Sequence, residues 1–252
     1  MTLGEAASSF LEHTRDKDSS IPPSRRSREN SLRLLTSCFT PNAAMSDVTP
    51  AALRDFLARW YFERVAESGR ANSAPITGNP LINDAEASLA RQLPEPTELL
   101  DTLAEFLEWT DLQEGTDRAS QCSKMLTGLR RSLPRALAIT GALSNSLREG
   151  GGAFGFPEFL TSFDEGGQSQ YDVGAPGEAG AIEGYFRIIR VEGSFVEGEE
   201  MISGDTVWPI VFPAEVAALL DDGYIVNLEL VRAPDGWRIA GCGFAYPPGT
   251  DT

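Results

Sequence analysis

Apolar residues recur at three- and four-residue steps through the first 148 positions, then at two-residue steps from Gly184 onward. The first spacing marks one face of a helix and the second one face of a strand. Five longer helical segments and one short one follow. Leu3 to about Arg15 places Ala6, Ala7, Phe10 and Leu11 on one side. Ser24 caps a second helix carrying Leu32, Leu35, Cys38 and Phe39. Val48–Gly69 is the clearest: Thr49 suits the N-cap, Pro50 the first helical position, and Gly69 the left-handed residue after the last turn. Its apolar face is Leu53, Phe56, Leu57, Trp60, Tyr61 and Val65. Trp60, Tyr61 and Phe62 fan over about 200°. Phe62 therefore either meets a second neighbour or is exposed. Thr97 begins a helix with Leu99, Leu100, Leu103, Phe106 and Leu107, and Ala119–Leu147 is a last helical region that Pro134 should kink or split. Between these lie a polar turn at Lys17–Pro23, a surface loop at Arg70–Asn83 and a short helix at Ala85–Gln92.

From Glu149 to about Gly184 the chain is rich in Gly and acidic residues around an aromatic island, Phe154, Phe156, Phe159 and Phe163. It reads as an interdomain connection. Strands are expected at Gly184–Val191, Thr206–Phe212, Tyr224–Arg232 and Trp237–Tyr246, where β-branched and aromatic residues are dense. The tetrapeptide Ala233–Gly236 (APDG) predicts a hairpin between the last two, and Pro213–Leu220 two turns of helix. The fold class is α+β. A helical bundle spans residues 1–148, a Gly-rich acidic linker 149–183, and a small β-barrel-like or bent antiparallel sheet domain 184–252.

Charge divides the chain in the same way. Residues 1–150 carry 17 Lys and Arg against 20 Asp and Glu; residues 151–252 carry 4 against 17. The whole chain stands at −16, and its second half would repel phosphate and attract a basic surface. Cys38, Cys122 and Cys242 lie far apart without CxxC spacing, which fits reduced thiols. The N-terminus lacks a secretory pattern, and the longest apolar stretch, Trp208–Leu220, is interrupted by prolines and Glu215. A cytoplasmic location is expected.

Few chemical motifs survive. Gly150–Gly155 spells GxGxxG, but a helix precedes it and Phe156-Pro157 follows, so it reads as linker. His13 is the single histidine, which excludes HExxH zinc sites and His-dependent triads. Carboxylates gather at Glu197, Glu199, Glu200 and Asp205, at Asp164, Glu165 and Asp172, and at Asp221 and Asp222. No spacing matches a calcium loop, and a solvated acidic surface is the plainer reading. Trp208 and Trp237 read as core or hairpin residues rather than a stacking platform. Arg25, Arg26, Arg28 and Arg33 crowd the start of the second helix, against its macrodipole, and stand as nucleic-acid-binding candidates beside the plainer reading of a solvated face. No catalytic residue, metal ligand or cofactor is assigned.

The order of features over residues 5–112 resembles the SAM-like core-binding domain at the N-terminus of tyrosine recombinases. The matching stretches are Ser9–His13 (SFLEH), Arg28–Leu35 (RENSLRLL), Asp47–Leu57 (DVTPAALRDFL) and Leu99–Trp109 (LLDTLAEFLEW). The resemblance implies a compact helical bundle and contact with DNA. It carries over no catalytic residue, because the His-x-x-Arg and Tyr machinery of those enzymes has no counterpart after His13.

The expected function is therefore a non-enzymatic, cytoplasmic, two-domain binding protein whose acidic β domain engages a basic protein partner. The alternatives are a DNA-binding accessory protein using the helical domain, and a carboxylate-based or metal-dependent enzyme with its site between the domains.

Overall fold

The computed structural model describes residues 1–15, 24–62, 64–65, 93–149 and 180–250. The turn at Lys17–Pro23, the cap at Gly69, the loop at Arg70–Asn83, the helix at Ala85–Gln92 and nearly all of the Gly-rich stretch with its aromatic island lie outside them. The architecture is α+β, helices first and a five-stranded sheet last. The chain divides into two compact units, Met1–Pro134 and Arg135–Thr252. The division falls inside the last long helix, whose second half groups with the strands. No helix among the described residues is long and apolar enough to cross a membrane.

The first unit starts with α1 (Leu3–His13), opened by a capping box in which Thr2 and Glu5 satisfy each other's backbone N–H groups. Ser24 accepts from Ser27 N–H and begins α2 (Arg25–Phe39). Thr49 caps α3 (Pro50–Asp55), with Pro50 at its first position. The expected single helix then departs from regular geometry: Phe56–Trp60 forms a π turn before helix resumes at Tyr61. A π turn accommodates one extra residue, which sets later side chains back by roughly 100°. Trp60, expected on the buried stripe, therefore lies at its edge, stacked on Phe56 with centroids 5.7 Å apart and Arg64 5.3 Å from its ring. Tyr61 and Phe62 turn inward and are buried, so the helix is covered on two sides. Tyr61 donates its hydroxyl hydrogen to the Pro94 carbonyl at 2.8 Å. Burial first, then the nearby Glu95 carboxylate, push its pKa well above the ordinary phenol value.

Next comes α4 (Pro96–Glu114), which packs on α2 and contributes Leu99, Leu103, Phe106 and Leu107 to the core. It ends at Gly115, in the left-handed conformation that helix C-termini favour. The corner into α5 (Arg118–Glu149) is built on Asp111, whose carboxylate accepts from Arg118 N–H at 3.0 Å, Ala119 N–H at 2.7 Å and the Thr116 hydroxyl. Partial burial works to raise the Asp111 pKa, but these hydrogen bonds and the Arg118 charge outweigh it and hold the group below its ordinary 3.8. A group lowered in the folded state stabilises fully above its unfolded pKa and stops doing so as pH falls through its folded pKa. Asp111→Ala should therefore cost about 1 kcal/mol at neutral pH, the usual worth of a lost cap. Urea titrations of both proteins should show that gap closing only below the ordinary carboxylate range.

Of the two outcomes expected at Pro134, a kink or a split, the split does not occur: α5 runs through it as one helix. Proline removes one backbone hydrogen bond from the ladder. Leu129 and Leu133 before it and Ala136 and Ile139 after it are all buried.

The second unit holds five strands: β1 (Ala181–Glu192), β2 (Phe195–Glu200), β3 (Thr206–Val211), β4 (Ile225–Ala233) and β5 (Gly236–Tyr246). A one-turn helix, α6 (Ala214–Ala217), separates β3 from β4 and is shorter than the expected Pro213–Leu220. The pairings run β1-β2-β3-β5-β4 and return to β1, closing the sheet on itself. All are antiparallel except β3 with β5, where Ile210 faces Trp237 and Val211 faces Arg238. That parallel closure was not foreseen, because it joins segments separated by a helix and another strand. Register shifts in β1–β2, β2–β3 and β4–β5 supply the bends a small closed sheet needs.

Strand β2 was also missed. Its inward positions are Val196 and Gly198, so its apolar alternation is almost invisible in Phe195–Glu200 (FVEGEE). Gly198 fits closely there, because a Cβ would lie 3.3 Å from both Phe186 and Ile210. The hairpin at Ala233–Gly236 forms as expected, with Ala233 opposite Gly236.

The second half of α5 lies along the strands. Ile139 and Leu143 are buried, and the Thr140 hydroxyl oxygen accepts from Ala245 N–H at 2.9 Å. Arg135 donates to the Leu219 carbonyl at 2.5 Å and pairs with Asp221, satisfying backbone that follows α6.

Candidate binding surface

The four arginines proposed from the sequence do not share one surface. Arg25, Arg26 and Arg33 are exposed, and Arg25 pairs with Glu29 one turn on at 2.9 Å. Arg28 is only 8% exposed and points into the α2–α4 packing, where its Nε donates to Glu105 at 3.0 Å. Beside it the Ser27 hydroxyl donates to Glu98 at 2.8 Å. Arg28 therefore ties two helices together through a charge-assisted hydrogen bond. Arg33 lines a groove of about 350 Å³ between α1 and α2, with Glu29 on the same wall.

Four of the candidate carboxylates, Glu197, Glu199, Glu200 and Asp221, also have structural partners, while Asp164, Glu165 and Asp172 lie outside the described residues. Glu197 accepts from Arg190 at 2.9 Å and Glu199 from Arg187 at 3.5 Å. Glu200 accepts from Ser203 N–H at 2.6 Å and Ile202 N–H at 3.0 Å, holding the β2–β3 turn. The Ser203 bond is the main reason its pKa lies below the ordinary value. Asp221 is the partner of Arg135. Among the described residues, no three His, Cys, Asp or Glu side chains are placed to hold a metal ion. Burial raises the pKa of all three thiols, that of Cys242 to about 12, far from the range of a reactive thiolate. His13 lies at the exposed end of α1, 6.1 Å from the Trp109 ring.

What the sequence did not reveal is an aromatic cluster on the outer face of β1–β3. Val207 and Ile210 are both buried although three residues apart, because the β2–β3 register shifts between them; Trp208, expected as a core or hairpin residue, lies on this hairpin and is exposed rather than in the core. Phe195, at the start of β2, meets it edge-on with centroids 6.4 Å apart. Phe195 is 46% and Trp208 38% exposed. The Arg190 guanidinium lies 4.8 Å from the Trp208 ring centroid and bonds both Glu197 and Glu192. Register places Arg190 opposite Glu197, Glu192 opposite Phe195, and Arg187 opposite Glu199. Two exposed rings thus sit within a frame of three carboxylates. Alternation from Val207 puts Trp208 outward and alternation from Ile210 puts it inward, so alternation alone returns no single answer; Phe195 lies on β2, which has almost no apolar alternation. Trp237, by contrast, is a hairpin residue as expected, half-buried opposite Arg232, whose guanidinium lies 5.0 Å from its ring.

The second unit also has an apolar recess of about 410 Å³, where Leu143 and Leu147 of α5 line the same space as Phe212, Pro213 and Ile239, with Arg238 the one charged residue among the described residues of its lining.

Compared with known proteins, the chain matches no protein-family model, no curated protein and no solved structure.

Proposed function

We propose that this is a binding protein whose acidic β unit engages a basic surface on a protein partner. The observation that carries this reading is the charge arrangement on the strand ring. Residues 181–250 hold eleven Asp and Glu and only four cations, Arg187, Arg190, Arg232 and Arg238. Every one of those arginines already has a partner: Glu199, Glu192 with Glu197, the Trp237 ring, and Asp235. The carboxylates are therefore in large excess over cations that are themselves occupied. Such a surface draws in positive charge and rejects phosphate, with a strength that salt screens.

The test uses the full chain and a fluorescein-labelled nona-arginine peptide, followed by anisotropy at about 50 and 300 mM salt. Binding at low salt that weakens steeply at high salt is the expected result. No binding at low salt would overturn the reading. A single-stranded oligonucleotide that binds in place of the peptide would transfer the function to nucleic acid.

A further inference from the structure

Resting on that reading, we infer that the partner's cation is received at a defined place: the Phe195–Trp208 face of β1–β3, framed by Glu192, Glu197 and Glu199. The occupant is an Arg- or Lys-bearing segment of a protein, and Arg190 is the resident cation that it displaces.

Three features converge on this. First, two large rings are exposed side by side on a sheet face, where a chain gains nothing from leaving them in water. Second, a guanidinium already sits over the Trp208 ring at 4.8 Å, so the face is shaped and charged to hold one. An aromatic face attracts a cation through its quadrupole, and Arg is the commoner partner. Third, the two carboxylates that hold Arg190 in place, Glu192 at 2.8 Å and Glu197 at 2.9 Å, can equally accept from an incoming arginine or lysine. Glu199 extends the frame along β2 toward Arg187. The same carboxylates disfavour a nucleic acid strand, which would otherwise suit stacked aromatic rings.

The exchange gives an unusual signature. Removing the resident cation should improve binding, whereas removing either ring should impair it. Arg187 supplies the charge-matched control. It too lies on β1 and pairs with a carboxylate of β2, but it has no place over Trp208.

The peptide assay is repeated at low salt with Trp208→Ala, Phe195→Ala, Arg190→Ala and Arg187→Ala, and thermal melts confirm that each is folded. Trp208→Ala and Phe195→Ala should each weaken binding about two- to fivefold, the worth of an exposed cation–π contact. Arg190→Ala should tighten binding at least about twofold more than Arg187→Ala does. Peptide binding that is unchanged in both ring variants would overturn the inference while leaving the acidic-surface reading intact. Equal effects of Arg190→Ala and Arg187→Ala would also overturn it, by reducing Arg190 to one charge among several. A native chain that fails to bind peptide at all sinks the underlying reading instead. Oligonucleotide binding that is lost in Trp208→Ala would assign the face to nucleic acid and overturn the inference.

Discussion

Replacing Gly236 by alanine should strongly destabilise the strand ring. Gly236 has φ +136°, a conformation that side-chain-bearing residues rarely adopt. A Cβ there would lie 2.6 Å from the Pro209 carbonyl oxygen and 2.8 Å from Pro209 Cγ. The closest obstacle is backbone, which cannot swing aside as a flexible side chain would. The position also matters for topology. Gly236 ends the β4–β5 hairpin, and its neighbour Trp237 makes the parallel pairing with Ile210 that closes the sheet. Backbone strain and overpacking act together, so the expected loss is about 3 kcal/mol or more. A urea titration of the full chain, read in the tryptophan signal, should show the transition of the second unit moved to much lower denaturant. Gly193→Ala is the control. Gly193 also has positive φ, at +62°, but a Cβ there meets nothing within 4 Å. It should cost only about 1–2 kcal/mol. Equal losses from the two would show that the Pro209 contact does not matter.

Phe10→Ala should be the corresponding injury to the first unit. Phe10 is 2% exposed. Its ring meets Phe106 edge-on at 5.5 Å and Trp109 at 5.8 Å, joining α1 to α4. Truncation removes the buried ring and leaves a cavity that neighbouring helices fill only in part, for a cost of about 3–5 kcal/mol. Phe10→Leu keeps most of the volume and should lose roughly 1.5 kcal/mol or less. The check is the loss of helical circular dichroism against urea for the three proteins. A small effect of the alanine variant would mean that α1 is not integral to this core.

These two positions show what a sequence discloses and what it withholds. Phe10 was legible as an inward residue because its signal is local: a helical stripe within one segment. The same holds for the caps at Ser24 and Thr49, for Pro50, and for the hairpin at Ala233–Gly236, each a few residues of stereochemistry. The importance of Gly236 beyond its turn was not legible, because it depends on Pro209 arriving from another strand. Strand β2 escaped because one of its two inward positions is a glycine. Trp208 was open between core and hairpin, because a tryptophan among apolar neighbours invites a core assignment and the register shift that leaves it exposed lies in the pairing with β2. The platform of Phe195, Trp208 and Arg190 needs three strands in register before it exists. The arginine cluster of α2 was legible as composition only; the helix rotates Arg28 inward to Glu105 and the other three outward. Charge asymmetry, a property of composition alone, passed directly from sequence to surface.

The π turn at Phe56–Trp60 acts as a phase shifter. A regular helix through this segment would carry its stripe on to Trp60 and leave the aromatic triplet divided between core and water. The additional residue resets the angular count, so that Tyr61 and Phe62 arrive together at buried positions and the Tyr61 hydroxyl meets Pro94. Spacing between Leu53 and Phe62 is thus fixed to the single residue. The chain could lose or gain a residue in a surface turn with little effect, but a one-residue change here would rotate everything after it by roughly a quarter turn. Any true relative of this protein should therefore keep the length of this segment even where its side chains differ.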